Sequence, residues 1–341
     1  MILGLPPPFP LETFESFQLI DNHNRESHEP SLLLVPQHRS RSPMLILGGS
    51  ASQPLAGKVA KELNQEAGRL EIKRFPDGEK YLRIHDDVKD QDVVAIQSLY
   101  RTPDENIFEL LLLTDTLRDL GARSITVVVP YLAYARQDSR FYPGEAVSSA
   151  SVARLLESAG TTSFITIDCH LHRLGDVAKV FKIPARNLTA MQELGKYARE
   201  HFKARDPLVI GPDEEAGQWA AVVAKELDAE HTAFRKVRVR KEGMTASKVE
   251  VDTGDVELKG RDAVFADDII STGGTLAEAA KACKKKGARH IFVLCTHPVL
   301  ADGALKRIKA AGALRIVGTD TIPSPISKVS VAPVIAAALK S

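Results

Sequence analysis

The segment Val264-Phe265-Ala266-Asp267-Asp268-Ile269-Ile270-Ser271-Thr272-Gly273-Gly274-Thr275 runs from an apolar strand into two carboxylates, a Ser-Thr-Gly-Gly-Thr turn and the helical stretch LAEAAKACKKKG. Adjacent acids at a strand end repel, and two glycines lose conformational freedom when they are ordered. A phosphate, a sugar diol or a metal in the loop compensates for both. Backbone N–H groups of Ser271 to Thr275 at a helix N-terminus make an anion cradle, which the helix dipole reinforces. Thr272 and Thr275 add hydroxyl donors. A carboxylate, Asp267 or Asp268, matches the two neighbouring hydroxyls of a ribose. The ordinary alternative is an acidic turn with an N-cap; it suits a lone Asp-Asp better than this complete strand-acid-glycine-helix order.

Outward from this loop, short apolar runs alternate with amphipathic stretches. Strands are expected at 44–49, 93–98, 124–132, 163–168, 208–213, 234–239, 263–268 and 290–297. Helices are expected at 53–63, 106–120, 147–159, 215–227, 275–286 and 303–311. In the first of these, Leu55, Val59, Ala60 and Leu63 fall on one helical face. Such alternation implies an α/β fold with parallel sheets covered on both faces, and ligands at the carboxyl ends of the strands. Two domains are expected, over 44–187 and 188–341, divided near IPARNLTA. Residues 1–43 are rich in Pro, Ser, His and Asn and read as a flexible extension. Their proline cluster would interrupt the apolar core of a signal peptide. Met44 is an alternative start.

Composition excludes more than it selects. With 45 basic and 44 acidic residues in 341 the net charge is +1, so no global field draws the chain to nucleic acid or membrane. No apolar run approaches the roughly 20 residues that span a bilayer. Three widely spaced cysteines, Cys169, Cys283 and Cys295, argue for a reducing, cytoplasmic setting and against a disulfide framework.

Four other segments carry candidate chemistry. In RFPDGEKYLRI (74–84), Asp77 and Glu79 flank a glycine with Phe75 just before; alone this is ordinary turn chemistry between strands. In VVVPYLAYARQDSRFYPGE (127–145), a buried strand enters a polar loop. There Arg136 can grip phosphate oxygens bidentately and Gln137 can read a base or ribose edge. In ITIDCHLHRLGDV (165–177), Asp168 and His170 point the same way off a strand end and suit a divalent cation shared with phosphate. In VIGPDEEAGQWAAVVA (209–224), Glu214 and Glu215 sit where acids favour a helix dipole, which leaves Asp213 as the better site candidate.

The loop at 264–275 closely resembles the phosphoribosyl-binding loop of the type I phosphoribosyltransferase fold, and the segments together resemble the ribose-phosphate pyrophosphokinase family. The likeness runs from Met44 to the C-terminus. Its hallmarks are F-x-D-G-E (Phe75, Asp77, Gly78, Glu79), Y-A-R-Q-D (Tyr134 to Asp138), P-G-E (Pro143 to Glu145), D-x-H (Asp168 to His170), P-D (Pro212-Asp213), K-x-R (Lys236, Arg238) and DDIISTGGT. The resemblance implies two type I phosphoribosyltransferase-like domains. It implies Mg²⁺-dependent transfer of the β,γ-diphosphoryl group of ATP to the C1 hydroxyl of ribose 5-phosphate, with release of AMP. It implies that Phe75, Asp77 and Glu79 bind ATP of a neighbouring subunit in a homo-oligomer, and that Arg136 and Gln137 contact ATP. It places metal at His170 and Asp213, with Asp168 beside them, and ribose 5-phosphate on Asp267, Asp268 and residues 271–275, with Arg238 close to the reacting phosphates. Charge neutralisation dominates such transfers, and Lys236 and Arg238, on one face of a strand leading into the polar loop 240–248, would supply it.

The chain departs from the family in places. Lys182 and Arg186 stand where acids are common, residues 171–180 look lengthened, and Ser271 replaces an aspartate. A phosphoribosyltransferase would leave the F-x-D-G-E, Y-A-R-Q-D and K-x-R segments without a purpose. A non-catalytic regulatory subunit should have lost Lys236, Arg238 or His170.

Overall fold

In the computed structural model, which describes residues 44–140, 142–171, 175–239 and 248–341, the strand–helix alternation closes into two parallel sheets. The extension at 1–43 and most of the polar loop at 240–248 lie outside the described residues.

The run LILG forms β1 (Leu45–Gly48), and α1 (Gln53–Glu62) buries Leu55, Ala56, Val59 and Ala60 as its 3.6-residue period requires. An antiparallel hairpin follows, β2 (Leu70–Arg74) and β3 (Lys80–Ile84). Pro76-Asp77-Gly78 makes its turn, closed by Gly78 N–H donating to Phe75 O at 2.9 Å. The remaining elements of this half are β4 (Asp92–Ile96), α2 (Pro103–Asp119), β5 (Ser124–Val129), α3 (Ser148–Ser158), β6 (Ser163–Ile167) and β7 (Ala185–Leu188). The first sheet runs β1-β4-β5-β6-β7, all parallel. Its central strands β4, β5 and β6 are largely apolar because helices cover both faces, while the edge strand β7 exposes Arg186 and Asn187.

The second half comprises α4 (Met191–His201), β8 (Pro207–Gly211), α5 (Gly217–Leu227), β9 (Glu230–Ala233), β10 (Arg235–Val239), β11 (Lys248–Asp252), β12 (Asp262–Ile269), α6 (Gly274–Lys285) and β13 (Ile291–His297). It ends with α7 (Ala304–Ala310), β14 (Arg315–Thr319), β15 (Ser327–Val329) and α8 (Ala332–Lys340). The second sheet runs β15-β14-β13-β12-β8-β9, again parallel, while β10 and β11 form a separate antiparallel ribbon.

The first sheet ends with β7 at Leu188 and the second begins with β8 at Pro207, but the final helix returns to the first sheet. Ala332, Ile335 and Leu339 of α8 are buried with Ile46, Leu55, Val59 and Ile165 on the first sheet. Arg186, one of the departures noted above, donates to Ala338 O and Ser341 Oγ, both at 2.9 Å, and so caps this returning helix. Further ties join the sheets: Ser98 Oγ donates to Thr321 O at 2.7 Å, and Tyr100 Oη to Val299 O at 3.0 Å. Among the described residues no helix is long and apolar enough to cross a membrane.

Candidate active site

From β8 the chain turns outward to β9 and then crosses to β12 on the other side. The β8/β12 junction is therefore the point where strand order reverses, and a crevice opens at the carboxyl ends of such a pair. Asp213 follows β8, and Asp267 and Asp268 lie near the end of β12. They line a cavity of about 500 Å³ with Arg136, His170, Glu214, Glu215 and the loop from Ile269 to Leu276. The structure thus gathers residues from four of the segments singled out in the sequence.

The loop is held through its backbone at Ile270 and Thr272. Ile270 O accepts from Leu300 N–H at 2.9 Å, Ile270 N–H donates to His297 O at 3.0 Å, and the Arg307 guanidinium donates to Thr272 O. The first amides of a helix have no intrahelical partner, so those opening α6 remain available to an anion. Gly273 caps α6 with φ 71°.

Behind this cradle the site is strongly acidic. Asp268 is 1% exposed; its Oδ2 pairs with His170 Nδ1, and its Oδ1 has no hydrogen-bond partner among the described residues. Burial, then the negative charges of Asp268 and Asp213, push the Asp267 carboxyl well above its ordinary pKa. Burial is also the largest influence on His170 and disfavours its cation, yet its bond to Asp268 and that group's charge leave its pKa raised. Glu215 Oε2 lies 3.7 Å from His170 Nε2. Among the described residues no three His, Cys, Asp or Glu side chains form a ready metal cluster. Crowded carboxylates and an orphaned buried oxygen nevertheless fit one hard cation that arrives with phosphate oxygens, since such ions need only one or two protein carboxylates.

Asp168 requires a correction. It is 2% exposed, and its Oδ2 accepts from Thr296 Oγ1 at 2.6 Å and from Ala190 N–H at 2.9 Å. Asp168 takes φ 38°, which breaks the strand alternation that would have aligned it with His170. Its carboxyl, raised to about 6 by burial first of all, ties the two sheets together and does not line the cavity.

A second cavity of about 260 Å³ shares Arg136, His170 and Ile269 with the first and is lined also by Tyr131, Tyr134, Gln137 and His297. Gln137 Oε1 accepts from Ser148 Oγ at 2.6 Å at the start of α3. Phe75, Asp77 and Glu79 are exposed on the hairpin turn and line neither cavity. Lys236 and Arg238 lie two apart in β10, with backbones opposite Val251 and Val249 of β11; their side chains lie outside the description.

Two residues escaped the sequence reading. Arg307 acts on a carbonyl 35 positions away, and His297 joins the sheets. The imidazole of His297 donates from Nε2 to Ile167 O at 2.9 Å and meets Thr321 Oγ1 through Nδ1, also at 2.9 Å. Neither contact leaves a local sequence signal. Burial lowers the His297 pKa from 6.5 to about 4. Below pH 6.5 the unfolded chain therefore binds a proton that the folded chain refuses, and stability is lost as pH falls toward 4. The expected loss from this group is about 3 kcal/mol. Urea unfolding of the wild type and His297→Gln at pH 7 and pH 4 checks this: the wild type should lose more by that margin, and parallel losses would remove His297 as the cause.

Two parallel sheets joined at their carboxyl edges, with a Ser-Thr-Gly-Gly-Thr loop opening a helix at the strand-order reversal, define a two-lobed fold of the phosphoribosyltransferase type. The description of the N-terminal domain of ribose phosphate pyrophosphokinase matches residues 44–160, and that of the phosphoribosyl transferase domain matches residues 179–320. The chain belongs to the ribose-phosphate pyrophosphokinase family. It is similar to the ribose-phosphate pyrophosphokinase of Methanobrevibacter smithii, 43% identical over 302 residues, covering 87% of this chain and 100% of that protein. The enzyme of the same name from Methanopyrus kandleri is 40% identical over 298 residues, covering 87% of this chain and 99% of the other. The crystal structure of phosphoribosylpyrophosphate synthetase from Mycobacterium smegmatis superposes with a TM-score of 0.77 at 28% identity, covering 88% of this chain and 98% of that one.

Proposed function

We propose that the chain is a ribose-phosphate diphosphokinase that moves the β,γ-diphosphoryl group of ATP to the C1 hydroxyl of ribose 5-phosphate and releases AMP. The observation that carries this reading is one cavity lined both by the β12 acids with their anion loop and by Arg136 and His170 of the first sheet. A phosphoribosyl-binding lobe by itself supplies the former but not the latter.

In this reading the amides and hydroxyls of Ser271, Thr272, Gly273, Gly274 and Thr275 hold the 5-phosphate. Asp267 holds the ribose diol, and Asp268, fixed by His170, keeps the floor of the site anionic. Arg136 and Gln137 hold the ATP phosphates and nucleoside in the adjoining cavity. Lys236 and Arg238 act at the transferring diphosphoryl, where charge spreads over equatorial and leaving oxygens. His170 and Asp213 would hold Mg²⁺, which would supply charge neutralisation for the donor phosphates. Because Phe75, Asp77 and Glu79 stand outside both cavities, we assign them to ATP on a neighbouring subunit of a homo-oligomer. The cytoplasm suits an enzyme whose three cysteines are all buried and unpaired.

Incubating the protein with ATP, ribose 5-phosphate and Mg²⁺ should yield AMP in step with loss of ATP. Omitting the sugar phosphate, or adding EDTA, should abolish it. Release of ADP in place of AMP would rule out diphosphoryl transfer.

A further inference from the structure

The hairpin that bears Phe75, Asp77 and Glu79 is held at both ends of its turn. Arg74 and Lys80 are partners in the last rung of the β2–β3 ladder. Arg74 pairs with Glu105, and Lys80 with Glu109. The two glutamates are four residues apart in α2 and so share a helix face. The pairs differ in setting: the side chains of Lys80 and Glu109 are 9% and 2% exposed, while those of Arg74 and Glu105 are about half exposed.

Glu109 is fully engaged. Its Oε1 accepts from Ser50 N–H and Gln97 Nε2, both at 2.7 Å. Its Oε2 accepts from Ser50 Oγ at 2.8 Å and from Lys80 Nζ. Through Ser50, after β1, and Gln97, after β4, the turn end of the hairpin is fastened to the carboxyl edge of the first sheet. Arg74 also reaches across the turn and donates to Gly78 O at 3.0 Å.

Among the described residues no other strand pairs with the hairpin. The hairpin is its own two-stranded sheet, and the apolar residues by which it packs on the core lie at its far rung, Leu70 and Ile84, and its middle rung, Leu82. A buried ion pair adds little net stability compared with apolar residues of similar volume, but removing one partner is costly because the other charge is then stranded. Such a pair enforces one geometry.

We propose that Glu105 and Glu109, acting through Arg74 and Lys80, are positioning residues that set the hairpin turn for ATP. This rests on the reading that Phe75, Asp77 and Glu79 bind ATP. A turn already held in its binding geometry spares the ordering cost that a loose loop would bear on binding. The clamp therefore acts on nucleotide affinity, leaving the ribose 5-phosphate cradle and the chemical step unchanged.

The experiment compares Lys80→Met, Lys80→Arg, Glu105→Gln and Asp77→Ala in the full chain. It reads kcat, both KM values, melting temperature and amide hydrogen exchange over residues 72–82. Lys80→Met should raise KM for ATP about tenfold, leave KM for ribose 5-phosphate and kcat within about twofold, and speed exchange at the turn. Lys80→Arg should restore most of the affinity. Glu105→Gln, at an exposed pair that contributes little to stability, should raise KM for ATP about threefold with an unchanged melting temperature. It keeps the test decisive should Lys80→Met fail to fold. If Asp77→Ala raises KM for ATP while both clamp variants leave it at the wild-type value, the clamp is overturned. If Asp77→Ala leaves KM unchanged, the ATP reading fails. The exchange data then judge the clamp separately, and wild-type exchange at the turn in the clamp variants overturns it.

Discussion

Lys236→Ala should lower kcat by about a thousandfold, the effect of removing one cation that acts only on transition-state charge. The melting temperature should stay within about 2 °C, because β10 belongs to a two-stranded ribbon outside both main sheets. KM for ribose 5-phosphate should change little, since the proposed 5-phosphate cradle would lie at the other end of the sugar. The variant also tests subunit sharing. If Asp77 serves ATP on a neighbour, each site combines Asp77 of one subunit with Lys236 of another. Asp77→Ala, assayed at ATP well below its raised KM, and Lys236→Ala are then each nearly inactive, but in a mixed symmetric pair one site carries both defects and the other neither. Random reassortment leaves about half the pairs mixed and about a quarter of all sites intact. AMP release after subunit exchange should rise to that level. A kcat for Lys236→Ala near the wild-type value removes the residue from the mechanism, and no recovery on demonstrated exchange places Asp77 within its own chain.

Gly273→Ala should damage the proposed ribose 5-phosphate cradle and the fold together. At φ 71° an L-residue carries backbone strain, and an added Cβ would stand 2.8 Å from Ile308 Cδ1 and 3.3 Å from Ala304 Cβ. Left-handed strain costs about 1–2 kcal/mol and core overpacking about 1–3 kcal/mol. Part of that shifts the loop off its geometry and part destabilises the lobe. The melting temperature should fall by about 5 °C, and KM for ribose 5-phosphate should rise at least about tenfold. Gly274→Ala is the stability control: its Cβ would meet nothing nearer than Thr272 Oγ1 at 3.9 Å, and its melting temperature should hold. Unchanged thermal stability and affinity in Gly273→Ala would show that the loop does not depend on this packing against α7.

The sequence by itself determined the parallel α/β character, the chain position of most strands and helices, and the loop that decides the reading. Those signals are local. Apolar runs of strand length, a 3.6-residue period, and acids followed by glycines at a helix start are written within a dozen residues of one another. Asp267, Asp268 and Ser271 to Thr275 were therefore legible together, whereas Asp213 stood out only as a separate candidate at the end of another strand. The hairpin was visible only as turn chemistry around Pro76-Asp77-Gly78, because two short strands with mixed burial carry little periodicity.

Only the tertiary structure decided which candidates meet. His170 reaches Asp268 across 98 positions, and no spacing rule records that approach. Asp168 went the other way: strand alternation aimed it into the site, but a left-handed backbone and donors from Thr296 and Ala190 turned it inward as a tie between sheets. The return of α8 to the first sheet, capped by Arg186, and the grip of Arg307 on Thr272 O are likewise set by packing. Each depends on burying an apolar face or pairing a polar group with whatever lies nearest in space, and that neighbour is fixed only when both sheets have closed.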